Sequence, residues 1–215
     1  MTKAIFFDMD GTLFRTNSIL GEALHNTFEL LRQEGKWHAE TPLQLYYDIM
    51  GVPLPVVWEK LCPHFDEEER ERCNGIFHEQ LLTAIHDNKG SIYPQVHETL
   101  AKLQLRYPLF VTSNGEVAYL QAIVETFHLQ HYFKQVYSIQ QIDSLNKSQL
   151  VGLAMQQHNV TDGYVVGDRL SDINAAKFNG LTSIGVNFDF AQQSELQQAD
   201  YIVDELQQLL HIIAQ

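Results

Sequence analysis

Cysteine is nearly absent. Cys62 and Cys73 are the only two, ten residues stand between them, and neither a CxxC nor a Cys/His pattern of zinc spacing is present. A disulfide scaffold and a structural zinc site are thereby excluded, and the pair reads as buried or half-exposed thiols in a reducing compartment. Long apolar runs are missing too. The run before Asp8 is four residues, too short for a signal-peptide core, and nothing approaches the length of a membrane span, so the expected location is the cytoplasm. Positive charge is scarce: 14 Lys and Arg face 27 Asp and Glu, for a net charge of -13 and an isoelectric point near 5.1. No basic cluster offsets that excess, which argues against a nucleic-acid or anionic-membrane partner and makes any phosphate site local. Fixed-period repeats and low-complexity tracts are lacking, and the glutamines near the C-terminus read as solvated helix surface. What is there is ample apolar material. At 215 residues and 45% hydrophobic, the chain can bury a core as one domain, or as one domain carrying an insertion, with a monomer as the default.

The most polar cluster sits at the end of the most apolar segment. Ala4-Ile5-Phe6-Phe7 reads as a buried strand and runs straight into Asp8-Met9-Asp10-Gly11-Thr12. Residues i and i+2 of an extended chain point the same way, which sets Asp8 and Asp10 side by side and turns Met9 toward the interior. Two adjacent carboxylates repel, so a site that keeps them together adds a cation or holds one of them protonated. Gly11 lets the backbone leave the strand sharply. The competing interpretation is a surface turn after an edge strand, for which Asp and Gly are ordinary residues. Partners at other strand ends decide between the two.

From about Thr16 to Lys89 the pattern is helical, with apolar faces at Ile19, Leu20, Ala23, Leu24, Phe28 and Leu31 and again at Ile76, Phe77, Leu81, Leu82 and Ile85. Thr41-Pro42, Gly51 to Pro55 and Cys62-Pro63 punctuate it, and the acidic run Asp66 to Glu69 reads as a solvated first helical turn, not a metal site. After Gly90 strand and helix alternate. Helices are expected over Pro94 to Leu105, Val117 to Phe127, Ser148 to His158 and Asp172 to Phe178, the last closed by Gly180. Strands are expected at Leu109-Val111, Gln135-Tyr137, Tyr164-Val166 and Thr182-Val186. Repeated units of this kind predict a doubly wound parallel sheet with helices on both faces, an α/β fold carrying an inserted all-helical block.

In such a sheet ligands sit beyond the carboxyl ends of the strands. Asp8 and Asp10 follow the first strand, Thr112-Ser113-Asn114-Gly115 the second, and Gly167-Asp168-Arg169 a later one, with Asp172 a helical turn on. Thr112 and Ser113 suit a helix cap, and a capped helix N-terminus is also a phosphate cradle. Lys147 stands at the head of a helix, where its charge opposes the dipole; a site of several acids that binds an anion needs such a fixed cation.

In this order, Asp8-Met9-Asp10-Gly11-Thr12, Thr112-Ser113-Asn114, Lys147, and Gly167-Asp168 with Asp172 resemble the four motifs of the haloacid dehalogenase superfamily of hydrolases. The helical block between the first two motifs resembles the cap of the phosphoglycolate phosphatase-like branch, which implies a core of residues 1–15 and 90–215 and a cap of residues 16–89. The resemblance implies a phosphatase acting on a small phosphorylated metabolite. Asp8 would be the nucleophile that forms an aspartyl-phosphate, and Asp10 the acid that protonates the leaving alcohol and then the base that activates water. Magnesium would be held by Asp8, the backbone carbonyl of Asp10 and Asp168, with Asp172 in support. Ser113, with Thr112 and the amide of Asn114, would bind the phosphoryl oxygens, the register of that motif falling on Thr112 or Ser113, and Lys147 would balance the charge of Asp8 and phosphate.

The chain departs from the family pattern in having Phe14-Arg15-Thr16 after the first motif, where an acid is frequent, and Ser148 after Lys147, where proline is. Arg15 lies either toward the substrate's far end or on the surface. The loop Gly51-Val52-Pro53 either faces the site or joins helices, and His25, His38, His64, His78 and His86 are expected mostly to face solvent. Asp10 argues against dehalogenation, since a halide leaves without a proton. A phosphomutase of the same fold and a non-catalytic binding or regulatory protein are the alternatives.

Overall fold

The computed structural model of the protein describes residues 2–49, 52 and 54–213. Strand β1 (Thr2–Phe7) leads into four helices, α1 (Asn17–Gln33), α2 (Leu43–Asp48), α3 (Leu54–Leu61) and α4 (Glu67–His86). The chain then runs through α5 (Val96–Leu103), β2 (Leu109–Ser113), α6 (Val117–Thr126), β3 (Phe133–Ser138), α7 (Lys147–Gln157) and β4 (Val160–Gly167). It ends with α8 (Leu170–Phe178), β5 (Thr182–Val186), α9 (Gln193–Leu196), β6 (Tyr201–Val203) and α10 (Leu209–Ile213). The six strands form one parallel sheet in the order β3-β2-β1-β4-β5-β6.

Central strands are apolar throughout because helices cover both faces. Ile5, Phe7, Val111 and Val166 pack on the layer that holds α5, α6 and α10. Ala4, Phe6, Phe110 and Val165 pack on α7 and α8, with the Phe6 and Phe110 rings stacked at 5.2 Å. The first of these cores continues into the helices between β1 and β2, where α1 buries Ile19, Leu20, Ala23, Leu24, Phe28 and Leu31 beside α4. Trp58 of α3 fills the space between Phe28 and Phe77. Helix α4 begins where the acidic run predicts: Asp66 caps it by accepting from the Glu69 N–H at 2.9 Å, and Glu67 to Glu69 form its first turn. Cys62 and Cys73 are buried free thiols.

Expected and observed elements differ mainly at ends. Helix α5 starts at Val96 rather than Pro94, because Gln95 takes a left-handed conformation at φ 64°. The edge strand β6 carries no sequence signal: it has three residues, two of them exposed, and shows neither an apolar run nor an alternation. Among the described residues no helix is long and apolar enough to cross a membrane.

Candidate active site

Register brings the predicted motifs together. Phe7 pairs with Val111 on one side and Val166 on the other, so the ends of β1, β2 and β4 stand level and their loops leave from one rim. The strand order reverses at β1, which is where a parallel sheet opens a crevice.

Beyond β1, Met9 is fully buried, and its carbonyl accepts from the N–H groups of Leu13 and Phe14, both at 2.9 Å. Gly11 completes this tight turn at φ 72°, and a Cβ there would overlap the Asp168 carboxylate. Asp8 and Asp10 emerge together on the wall of one pocket. The Met9 N–H and the Lys147 ammonium both lie 2.8 Å from Asp8 Oδ1, while Oδ2 takes no hydrogen bond among the described residues. Asp10 Oδ1 accepts from the Thr16 hydroxyl at 2.5 Å and the Tyr119 hydroxyl at 2.6 Å. Burial pushes Asp10 up to about 6 against the pull of those two donors, and the neighbouring Asp8 charge adds to the rise. Tyr119 is itself held well above the ordinary phenol by burial and by Asp10, so it serves as a donor.

Lys147 opens α7 and is only 4% exposed. Its ammonium bridges Asp8 and Asp172, the latter at 2.5 Å from Oδ1. Burial opposes the ammonium's charge, yet the two carboxylates outweigh it and hold the group above its usual range. This pairing is the physical return for a cation placed at the wrong end of a helix dipole.

Asp172 spends its other oxygen on the Arg169 N–H at 3.1 Å, and burial pushes it up to about 6 against Lys147. Asp168, 1% exposed, accepts from the Thr12 hydroxyl at 3.3 Å; burial, then Asp8 and Asp172, hold it well above the usual carboxylate range. Asp8, Asp168 and Asp172 each offer an oxygen, all within 4.8 Å of one another. Three buried carboxylates sharing one lysine leave negative charge uncompensated, so the trio could hold a metal ion. The Asp10 carboxylate lies outside this trio, turned toward Thr16 and Tyr119.

At the end of β2, Ser113, Asn114 and Gly115 line the pocket, and the Ser113 hydroxyl accepts from the Gly115 N–H at 3.0 Å. Thr112 is fully buried off the pocket wall, its hydroxyl without a hydrogen bond among the described residues. Arg15 is turned away: its Nε lies 3.5 Å from Asp189 and its guanidinium lies over the Tyr93 ring. Of the loop Gly51-Val52-Pro53, only Val52 is among the described residues, and it lines the pocket. His25, His38, His64 and His86 are exposed as expected. His78 differs: it is half-buried on the pocket wall, with Nδ1 3.4 Å from Glu116 Oε2. Sequence reasoning assigned no site role to Thr16, Tyr46, Glu116 or Tyr119, all of which line the pocket. The only available signal was the position of Glu116 and Tyr119 just after the second motif, on the first turn of the helix it opens.

Residues 5–186 match the family model described as haloacid dehalogenase-like hydrolase. A phosphoglycolate phosphatase of Vibrio vulnificus strain CMCP6 is 24% identical over 224 residues, covering 98% of this chain and 96% of its own. A pyrophosphatase PpaX of Oceanobacillus iheyensis is 23% identical over 217 residues, with 98% and 96% coverage. The crystal structure of a predicted phosphoglycolate phosphatase from Haemophilus somnus 129PT superposes with a TM-score of 0.85 at 22% identity, covering 99% of this chain and 98% of that one.

Proposed function

Because this chain belongs to the haloacid dehalogenase-like hydrolases, we propose that it is a magnesium-dependent phosphatase that hydrolyses a small soluble phosphate monoester through an aspartyl-phosphate on Asp8. The observation that carries the reading is the division of labour between the two first-strand carboxylates. Asp8 has one oxygen held by Met9 and Lys147 and the other available to attack phosphorus. Asp10, pushed up to about 6, is poised to give a proton to the leaving alcohol and then to take one from water. Thr16 and Tyr119 fix the oxygen of Asp10 that they share.

Ser113, with Asn114, binds the transferring phosphoryl oxygens, and Lys147 offsets the charge of nucleophile and phosphate. Asp8, Asp168 and the Asp10 carbonyl would hold magnesium, with Asp172 in support. The ion, when bound, neutralises charge on the phosphoryl group.

Residues 16–89 act as a helical cap on a core of residues 1–15 and 90–215. Two bonds where the segments cross support those boundaries, from the Arg15 N–H to the Ser91 carbonyl at 2.8 Å and from the Tyr93 N–H to the Leu13 carbonyl at 3.0 Å. The protein works in the cytoplasm on a soluble metabolite.

The test is phosphate release from a panel of small esters with and without magnesium, wild type beside Asp8→Asn. Release that needs magnesium and disappears in a folded Asp8→Asn protein is expected. Substantial turnover by that variant would sink the mechanism.

A further inference from the structure

Beyond the motif residues, the pocket wall carries the apolar side chains of Leu20, Val52 and Leu81, the phenol of Tyr46, and the polar His78 and Glu116. Among the described residues no lysine or arginine lines it. The nearby bases are committed elsewhere: Lys147 to Asp8 and Asp172, Arg169 to Glu195, and Arg15 to Asp189.

Glu116 is held as a fixed acceptor. The Trp58 indole can only donate, and it donates to Asn74 Oδ1 at 3.0 Å, which turns the Asn74 amide NH2 toward Glu116 Oε1, also at 3.0 Å. Trp58 and Asn74 come from α3 and α4, Glu116 from the N-cap of α6, so the carboxylate is pinned across two parts of the fold. His78 on the same wall has Nδ1 3.4 Å from Glu116 Oε2, so the imidazole is already paired with Glu116, and a substrate carboxylate would meet a like charge with no lysine or arginine among the described lining residues to answer it.

Building on the phosphatase reading, we propose that this pocket selects esters whose leaving alcohol presents a hydrogen-bond donor, a hydroxyl or an ammonium, to Glu116, and that it rejects esters bearing a carboxylate. Glu116 is the residue that discriminates. This sets the chain apart from what the names of several of its relatives say they act on.

Three esters on one two-carbon skeleton isolate the effect: 2-hydroxyethyl phosphate, O-phosphoethanolamine and 2-phosphoglycolate, assayed for kcat/KM with phenyl phosphate, whose leaving group bears no charge, as the control. Wild type is expected to prefer the hydroxyl and ammonium esters over 2-phosphoglycolate by at least about tenfold. Glu116→Gln keeps the shape and the acceptor toward Asn74 but removes the charge. It is expected to raise kcat/KM for 2-phosphoglycolate several-fold and to lower it for O-phosphoethanolamine. Calorimetric binding to the Asp8→Asn protein gives the same ranking without turnover, and a melting curve checks that each variant is folded. Preference for 2-phosphoglycolate, or ratios that the folded Glu116→Gln protein leaves unchanged, overturns the selectivity while leaving the phosphatase reading standing. Failure to hydrolyse any ester, phenyl phosphate included, overturns both.

Discussion

Two hydroxyls and one lysine decide how the acids of this site behave. Thr16 and Tyr119 both donate to Asp10 Oδ1, and a bond to the charged form favours that form. Tyr119→Phe is therefore expected to move the Asp10 limb of the pH–rate profile upward and to lower kcat about two- to tenfold, the worth of one hydrogen bond. An unmoved limb would mean that another group titrates. Lys147→Met leaves Asp8 and Asp172 buried without their cation, which costs about 3 to 5 kcal/mol. Urea unfolding in the presence of a chelator reads this loss, and a change under about 1 kcal/mol would show that the pair does not depend on the lysine. Asp8, Asp10, Lys147, Asp168 and Asp172 were legible in the sequence because each is a charge at a strand end or a helix start, where an apolar fold has no need of one. Thr16 and Tyr119 were not, since a hydroxyl on an amphipathic helix points nowhere in particular until the helix is docked.

Helix boundaries follow local chemistry where a side chain reaches the backbone, and tertiary packing where none does. Asp66 is the clear local case: its carboxylate satisfies an N–H of the first turn of α4. Asp66→Ala is expected to cost about 1 kcal/mol, or about 2 to 4 °C in Tm for a chain of this size, by calorimetry. No change would place the start of α4 under the control of packing against α1 and α3. The Asn146 side chain likewise accepts from the Ser148 N–H at 2.9 Å, so α7 starts at Lys147, one residue before the expected Ser148. The start of α5 has no such side-chain bond, and proline punctuation placed it two residues early. Strand β6 is defined only by its pairing with β5, a contact between distant residues that no local pattern carries.

The whole molecule concentrates buried acid at one rim, and its stability should register that. Asp10 and Asp172 are pushed up to about 6 and Asp168 well above the ordinary range, so near pH 5 the folded, metal-free chain holds protons that the unfolded chain has lost. Their stabilising contribution is full at low pH and is lost as pH rises through the folded values. Glu69, Glu195 and Asp200 are held below the ordinary range, and their contribution is lost as pH falls. The metal-free protein should thus melt highest in mildly acid solution. At about 100 times its dissociation constant, magnesium should raise Tm by about 5 to 10 °C at pH 7.5 and by clearly less at pH 5.5, where protons compete for the same oxygens. Equal shifts at the two pH values would count against the carboxylate trio. The sequence by itself determined the parallel α/β frame, the helical stretch between the first two strands, and the charged residues at the strand ends. Those depend on periodicity and on charge in apolar surroundings, both local properties. Tertiary structure alone decided that Ser113 rather than Thr112 lines the pocket, that Arg15 turns away while His78 turns in, and that Glu116 is fixed by Asn74 and Trp58. Each of these rests on which faces of distant elements meet, and that is set by packing.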